Sequence, residues 1–410
     1  EISCSLVGSE MCIRDSNGVI GIKETKADYI ASVGAFLPHI VVNAETGKRF
    51  GRSLDPDTNG YTSESFEEGT VGLDMTLSLF EGFSRINQVR FRKMNKERSE
   101  WELKEKQNEL AYQVTDAYYK LILERKLLDL ALEQSRLSER YLKQTEVFVE
   151  LGLKSASDLQ EVKARREGDI YRYQSRGNSS RIALLHLKQL MNIQPGDTLA
   201  ILDTITASQV PPYSVSTVET LYAQSIEILP SIRMIDLKQK AAHKEYAIAG
   251  GAFSPSVFAR FTVGSNYYNT AFSARQLRDN IGKYVGVGIS FPLLSGLQRL
   301  TNQRKLKLNM YRLKNEEELE KQQLYTDIEQ TLLSLHTGYS EHQQALSQLD
   351  AETLVLKESE RKWEEGLISV FQLMEARNRF IAAKAELVRV RLQIEMMMKL
   401  EKYYRQGTFL

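Results

Sequence analysis

Apolar and polar positions follow two rhythms along this chain, and the two rhythms occur in the same order twice. From Ser84 to Phe148 apolar residues return at helical spacing, through Leu103, Leu110, Val114, Ala117, Leu121, Leu128 and Ala131, with no Pro or Gly between. The pattern predicts one rod of about 65 residues, or about 100 Å at 1.5 Å per residue. A second such stretch runs from Gln298 to Trp363, broken only by Gly338. Ahead of each rod the period drops to two. Val71, Leu73, Met75, Leu77 and Leu79 alternate with Gly72, Asp74, Thr76 and Ser78, while Val285, Val287, Ile289 and Phe291 alternate with Gly286, Gly288 and Ser290. Alternation of this kind predicts strands with unlike faces. They fall at about 70–80 and 284–291, each with an earlier partner strand at about 33–44 and 256–264.

These strands have two readings. A half-buried sheet over a soluble core has an apolar and a polar face, and so does a membrane-crossing sheet, whose strands run close to ten residues. Four strands cannot close a barrel alone, and lipid does not tolerate an open edge, so a membrane sheet requires several chains to share it.

Setting the chain against itself shows a duplication. At a constant shift of 214 positions, Val71, Gly72, Gly82, Arg85 and Asn95 fall on Val285, Gly286, Gly296, Arg299 and Asn309. The same shift carries Gly152, Leu153, Ser155, Leu159, Glu161 and Arg165 onto Gly366, Leu367, Ser369, Leu373, Glu375 and Arg379 without a gap. The expected division is a non-native segment at 1–16, a first repeat at 17–214 and a second at 215–410. Each repeat begins with a helix, about Lys23 to Ser32 in the first and a fuller stretch from Val218 in the second, and then runs strand, polar loop, strand and rod. The loops, "GKRFGRSLDPDTNGYTSESFEEG" and "SNYYNTAFSARQLRDNIG", are rich in turn-forming residues and are expected to hold no regular element.

A rod this long needs neighbours along its length. Glycine is costly inside a helix, and Gly152 and Gly366 stand where each rod must reverse to make a helical hairpin, expected at about 84–191 and 298–404. Ser157 or Asp158 can cap the first returning helix, and Ser369 the second. Turn chemistry accounts for all of these residues except Leu153 and Leu367. An aliphatic side chain beside a turn at the far end of a rod has no evident core of its own to enter, and is available to a partner.

Composition narrows the function by exclusion. A net charge of +1 with 26% charged residues of both signs interleaved gives no case for nucleic acid. Both cysteines, Cys4 and Cys12, lie at the start, and residues 5–16, "SLVGSEMCIRDS", carry no periodicity and resemble translated adapter sequence. No apolar stretch has the 18 to 20 residues of a membrane-crossing helix, and no secretory signal is evident. His39, His186, His243, His336 and His342 have no neighbouring ligand set, and no phosphate-cradling glycine loop is present. No catalytic constellation, metal site or cofactor is expected.

The duplicated order of elements, with "LFEGFSR" and "LLSGLQR" at the strand-to-helix joins and "ELGLKSASDL" and "EEGLISVFQLMEARNRF" at the hairpin ends, resembles the TolC-type outer membrane efflux protein family. The likeness covers about residues 20 to 407, and the "GRSLDPDTN" loop resembles members from Bacteroidota. The resemblance implies an α+β membrane protein assembled as a homotrimer, whose four strands per chain make a twelve-stranded β-barrel continued by a long α-helical coiled-coil barrel. An equatorial belt would draw on residues 192–214 and the end near Tyr404, and the missing helix before the first strand would make this chain a fragment. The implied setting is the cell outer membrane with a large periplasmic portion. The implied partners are outer membrane lipid, a periplasmic adaptor and an inner membrane transporter, in drug or metal efflux or in type I secretion. The hairpin ends correspond to adaptor-docking tips, which gives Gly152, Leu153, Ser155 and Asp158 in one and Gly366, Leu367 and Ser369 in the other. The periplasmic aperture of the family, lined by inward carboxylates, corresponds to Gln372 and Glu375, so three chains would supply one charged ring where the fuller pattern has two. A surface position for Glu375 is the alternative. The competing class is a trimeric coiled-coil scaffold whose short sheets merely cap its rods.

Overall fold

The computed structural model describes residues 13–54, 60–63, 65–194, 196–201, 210, 216–269, 272–293 and 296–409. The elements in chain order are α1 (Ile13–Gly34), β1 (His39–Arg49), β2 (Ser53–Leu54), β3 (Tyr61–Thr62), β4 (Phe66–Glu81), α2 (Ser84–Glu150) and α3 (Ala156–Leu190). Then come α4 (Val218–Ile228), α5 (Pro230–Gly251), β5 (Ser256–Asn269), α6 (Ala274–Asp279), β6 (Gly282–Ser290), α7 (Gln298–Glu364) and α8 (Val370–Gln406). The chain is mostly helical with one open four-stranded sheet. Its contacts form two compact units, one of Ile20–Glu100 with Met234–Glu317, and one of Trp101–Arg233 with Glu318–Leu410 and the start of the chain through Val19. Each unit draws on both halves of the duplication.

The first unit holds the sheet, antiparallel throughout in the order β1-β4-β5-β6, so that the second strand of one repeat pairs with the first strand of the other. Residues facing one another across the strands fall on the expected faces. Asn43, Gly72, Gly264 and Gly282 form one row. In the next, Asp74 accepts from Thr262 Oγ1 at 2.9 Å and, from the neighbouring row, from Asn43 Nδ2 at 3.2 Å. On the opposite face Val285, Val287 and Ile289 are exposed. Tyr284 and Phe258 are aromatics on the small-residue face, and Tyr284 lies over Gly286, where a Cβ would stand 2.4 Å from its hydroxyl. Gly288 makes room for Phe258, since a Cβ there would lie 2.5 Å from Phe258 Cζ.

Several sequence-based boundaries move. The strand expected at 33–44 begins at His39, because α1 and its closing turn run through Leu37, with Phe36 N–H donating to Val33 O and Leu37 N–H to Gly34 O. β-Branched Val33 in an apolar run imitates strand composition, but the turn hydrogen bonds win. Both loops hold regular structure: β2 pairs with β3 in the first, while β5 runs on to Asn269 and α6 occupies the second. Residues 55–59 of the "GRSLDPDTN" loop lie outside the described residues, as do Cys4, Cys12 and most of the belt segment 192–214. α1 starts at Ile13, inside the stretch expected to be non-native.

Each strand-to-rod join uses two successive left-handed residues, Gly82 (φ 58) with Phe83 (φ 63) and Gly296 (φ 57) with Leu297 (φ 64). The pairs match at the shift of 214, and so do α2 and α7, which are each 67 residues long. At Gly82 the chain is also crowded, for a Cβ would stand 2.5 Å from Gly251 O, whereas at Gly296 nothing lies within 4 Å.

The second unit is built of two antiparallel hairpins, α2 with α3 and α7 with α8. Leu110, Val114, Ala117 and Leu121 of α2 are buried against Leu187 of α3, while Leu103 and Leu128 are only half-buried. In the other hairpin Ile328, Leu332 and Leu335 pack on Val390 and Ile394. Gly338 does not break α7. It is the point of close approach, where a Cβ would come within 3.0 Å of Ile394 Cγ1. Tyr404 is buried in the same cluster as Leu221 of α4, and Ser225 Oγ donates to Tyr404 O at 2.8 Å. The fuller helix of the second repeat divides into α4 and α5 at Leu229, with Pro230 at the first position of α5, where its missing N–H costs nothing.

The two joins yield a paired test. Gly296→Ala should cost about 1–2 kcal/mol, the left-handed penalty alone, and Gly82→Ala about 1–3 kcal/mol more from overpacking. Thermal melting of the two variants in detergent should rank Gly82→Ala clearly below Gly296→Ala, and equal midpoints would contradict the crowding.

Candidate docking ends of the hairpins

α2 and α7 end in the same way. Past Glu150, Gly152 takes φ 73 and its N–H donates to Val149 O at 3.0 Å, while Leu153 N–H reaches back to Phe148 O at 2.8 Å. Past Glu364, Gly366 takes φ 76 and donates to Trp363 O at 3.0 Å, and Leu367 N–H donates to Lys362 O at 2.8 Å. This pair of bonds satisfies carbonyls that a helix end otherwise leaves without partners, and the left-handed residue favours glycine. In such a cap the residue after glycine often packs back on the helix. Here it does not: Leu153 is 66% exposed and Leu367 is 69% exposed.

The returning helices are capped by Ser155 and Ser369, not by Ser157. Ser155 Oγ accepts from Asp158 N–H at 3.1 Å, and the Asp158 carboxylate accepts from Ser155 N–H at 2.9 Å and from its hydroxyl at 2.8 Å. Ser369 Oγ accepts from Gln372 N–H at 3.3 Å, and Gln372 Oε1 accepts from Ser369 N–H at 3.0 Å. Each end therefore carries a reciprocal capping box. Asp158 and Gln372 hold the same position in the two repeats, and Gln372 is tied back into its own cap. The donors of Ser155 hold the Asp158 carboxyl below the usual carboxylate range.

Beneath the turns the two ends join. Trp363 is almost wholly buried with Val162, Val370, Leu373 and Met374, and the edge of its ring meets Tyr141 at 5.0 Å between centroids. Arg377 is buried as well, its guanidinium 5.2 Å from the Tyr141 ring centre. Further along, buried Asp169 accepts from Gln134 Nε2 at 3.0 Å and from Ser138 Oγ, while Arg165 lies 3.7 Å away on its own helix and donates to Asn378 of α8. At the equivalent place in the second hairpin, Arg379 reaches across to Glu352 at 3.3 Å. Arg379 also meets Glu375 at 3.3 Å, whose side chain is more than half exposed.

The structure thus brings all seven tip residues into two equivalent ends and sets Glu375 one turn below, paired with a cation. Sequence reasoning missed Trp363, Arg377 and Asp169. An acidic residue at i+4 from Arg165 was a visible signal, but its partners on α2 are 31 and 35 positions away. Another cluster it missed lies in the same unit, where Glu105 sits beside Tyr403. Burial, then the nearby Glu320 and Glu109, push the Glu105 carboxyl up. Among the described residues no group of His, Cys, Asp and Glu is placed to hold a metal ion, and no helix is long and apolar enough to cross a membrane.

The family model described as outer membrane efflux protein matches residues 20–192 and 221–396. Solved structures with the same fold include the Campylobacter jejuni CmeC outer membrane channel, at a TM-score of 0.86 and 13% identity over 98% of this chain and 84% of that one. The Vibrio cholerae outer membrane protein VceC matches at a TM-score of 0.81 and 15% identity, over 96% of this chain and 93% of its own. The open state of the Neisseria gonorrhoeae MtrE outer membrane channel matches at 0.79 and 16%, over 100% and 88%. A search of curated proteins by sequence finds no match.

The unequal caps predict unequal responses to acid. A carboxylate whose folded pKa is depressed contributes stability above its ordinary pKa of about 3.9 and loses it as pH falls through the folded value. Amide exchange at 156–159 should therefore quicken relative to 370–373 as pH drops from about 5 to about 2, because Gln372 does not titrate. Asp158→Asn should abolish the difference, and parallel loss at both ends in the unaltered protein would contradict the assignment.

Proposed function

Since the chain belongs to the outer membrane efflux protein family, we propose that it is the exit duct of a tripartite efflux or type I secretion system, assembled as a homotrimer. The observation that carries this reading is the open sheet. β1 and β6 are its edges, each with one side unpaired, and the face bearing Val285, Val287 and Ile289 is exposed. A sheet with such a face is at home in lipid, where unpaired edges are too costly to persist. Three copies joined edge to edge give twelve strands and remove every edge. The rods then continue the barrel as a coiled-coil tunnel on the periplasmic side.

The hairpin ends are the docking points for a periplasmic adaptor, which links the duct to an inner membrane transporter that supplies the energy. Gly152 and Gly366 leave backbone uncovered, Leu153 and Leu367 offer apolar side chains to a partner groove, and Ser155, Asp158 and Ser369 hold the ends in shape. Burial of an exposed leucine in such a groove is worth about 1.5–3 kcal/mol. Glu375 contributes the charged ring at the aperture, and Arg379 beside it weakens the field that three such carboxylates present to a cation. Gln372, held in its cap, adds no charge there. The scaffold alternative requires a trimer that is stable in water.

Two measurements test this reading. The assembled protein should require detergent, and a monodisperse trimer obtained without it would reject the membrane duct. Leu153→Asp with Leu367→Asp should reduce adaptor crosslinking in intact cells at least about tenfold, as expected for two buried leucines, with trimer assembly preserved. Unchanged crosslinking would remove the leucines from the docking surface.

A further inference from the structure

The first turns of α7 carry an unbalanced charge. Between Gln298 and Asn315 stand Arg299, Arg304, Lys305, Lys307, Arg312 and Lys314 with no acidic residue. At helical spacing Leu300, Arg304, Lys307 and Tyr311 share one stripe, and Lys305, Leu308 and Arg312 share the adjoining one. All seven are exposed. The matching start of α2 is an internal comparison. There Arg85 pairs with Glu81, Arg92 with Asp28, Lys93 with Glu97 and Lys96 with Glu100. Among the described residues no carboxylate pairs with Arg304, Lys305 or Lys307. Among the described residues the start of α2 pairs four of its six cations, all but Arg90 and Arg98, whereas that of α7 pairs only Arg312, with Glu316.

Two features identify that partner. The first is continuity with an apolar surface: the exposed side chains of Val287 and Ile289 on β6 are followed by exposed Phe291, Leu293 and Leu297, and then by Leu300 in the first turn of α7. A wall facing only water gains nothing from such a run, whereas one leaving a lipid interior does. The second is the mixture itself. Long basic side chains lay their aliphatic stems on apolar surface and carry their charge outward to the headgroup layer. We propose that the first three turns of α7 bind the phosphate groups of anionic phospholipids in the leaflet where β6 leaves the membrane. The inference rests on the reading of the sheet as a membrane wall. Gln298 to Lys307 spans about 14 Å of helix, so flexible side chains and a screening length of about 8 Å bring Arg304, Lys305 and Lys307 within reach of that layer. Basic clusters beside a membrane span attract anionic lipid in this way.

The test uses the whole protein in nanodiscs of equimolar phosphatidylglycerol and phosphatidylcholine, with native mass spectrometry of the lipids that stay bound. Wild type should retain phosphatidylglycerol in at least about twofold excess at low salt, and lose the excess near 0.5 M salt, where screening is strong. Arg304→Glu, Lys305→Glu and Lys307→Glu together should abolish the excess. The equally large charge change Lys143→Glu, Lys163→Glu and Lys357→Glu, at exposed sites in the other unit, should leave it intact. An excess equal in wild type and the α7 variant would overturn the proposal. Loss of the trimer in that variant would overturn it in favour of a contact between copies, and a changed ion selectivity with unchanged lipid retention would overturn it in favour of a tunnel-facing patch. Failure of the wild type to enter nanodiscs would count instead against the membrane duct itself.

Discussion

A helix of 67 residues has nothing at its ends to hold it; its stability comes from its flanks. In this chain the flank of each long helix is covered by the helix that follows, and that depends on one reversal completed in five residues. Every backbone group at the reversal must find a partner, or the turn frays and the returning helix loses its register. The left-handed glycine, the two backward bonds and the reciprocal serine cap meet that demand inside each end. Because the turn needs no hydrophobic anchor of its own, Leu153 and Leu367 are left outward. The chemistry that closes the turn is also what leaves a side chain over for a partner.

Much of this was readable from the chain alone. The shift of 214 located both joins and both ends, since glycine at a left-handed position and serine at a helix start are dictated by local backbone geometry. Alternation placed the sheet faces for the same reason. What escaped was decided at a distance. Ser155 and Ser157 are both fit to cap by residue type, and the length of the turn selects the first. Phe258 sits on the small-residue face because Gly288, on the neighbouring strand, yields space that no single-strand pattern reveals. Asp169 reads as a surface carboxylate until α2 supplies its donors.

The two repeats also show how a duplicated frame tolerates different chemistry. The same slot is held by Asp158 in one cap and by Gln372 in the other, since each has an oxygen able to accept from the serine N–H. The arginine at the equivalent place in both hairpins keeps an anion close: Asp169 on the returning helix in the first, and in the second both Glu375 on the returning helix and Glu352 on the outgoing one. Geometry is retained while the second hairpin gains a charge on the facing helix. Family membership and fold follow from the frame; the individual behaviour of this chain lies in those exchanges.

The exchange at the arginines carries a further consequence. In the first hairpin the tie between helices runs through a carboxylate sealed from water and held by neutral donors, where mobile ions do not penetrate. In the second it is an ion pair whose arginine is about half exposed, open to screening. Dissolved salt therefore reaches the arginine tie of the second hairpin and not the buried Asp169 tie of the first, although it also weakens the accessible pairs Arg166–Glu139 and Arg176–Glu124 that cross the first hairpin elsewhere. One plan thus sets a tie closed to ions at the first of two equivalent places and a tie open to them at the second.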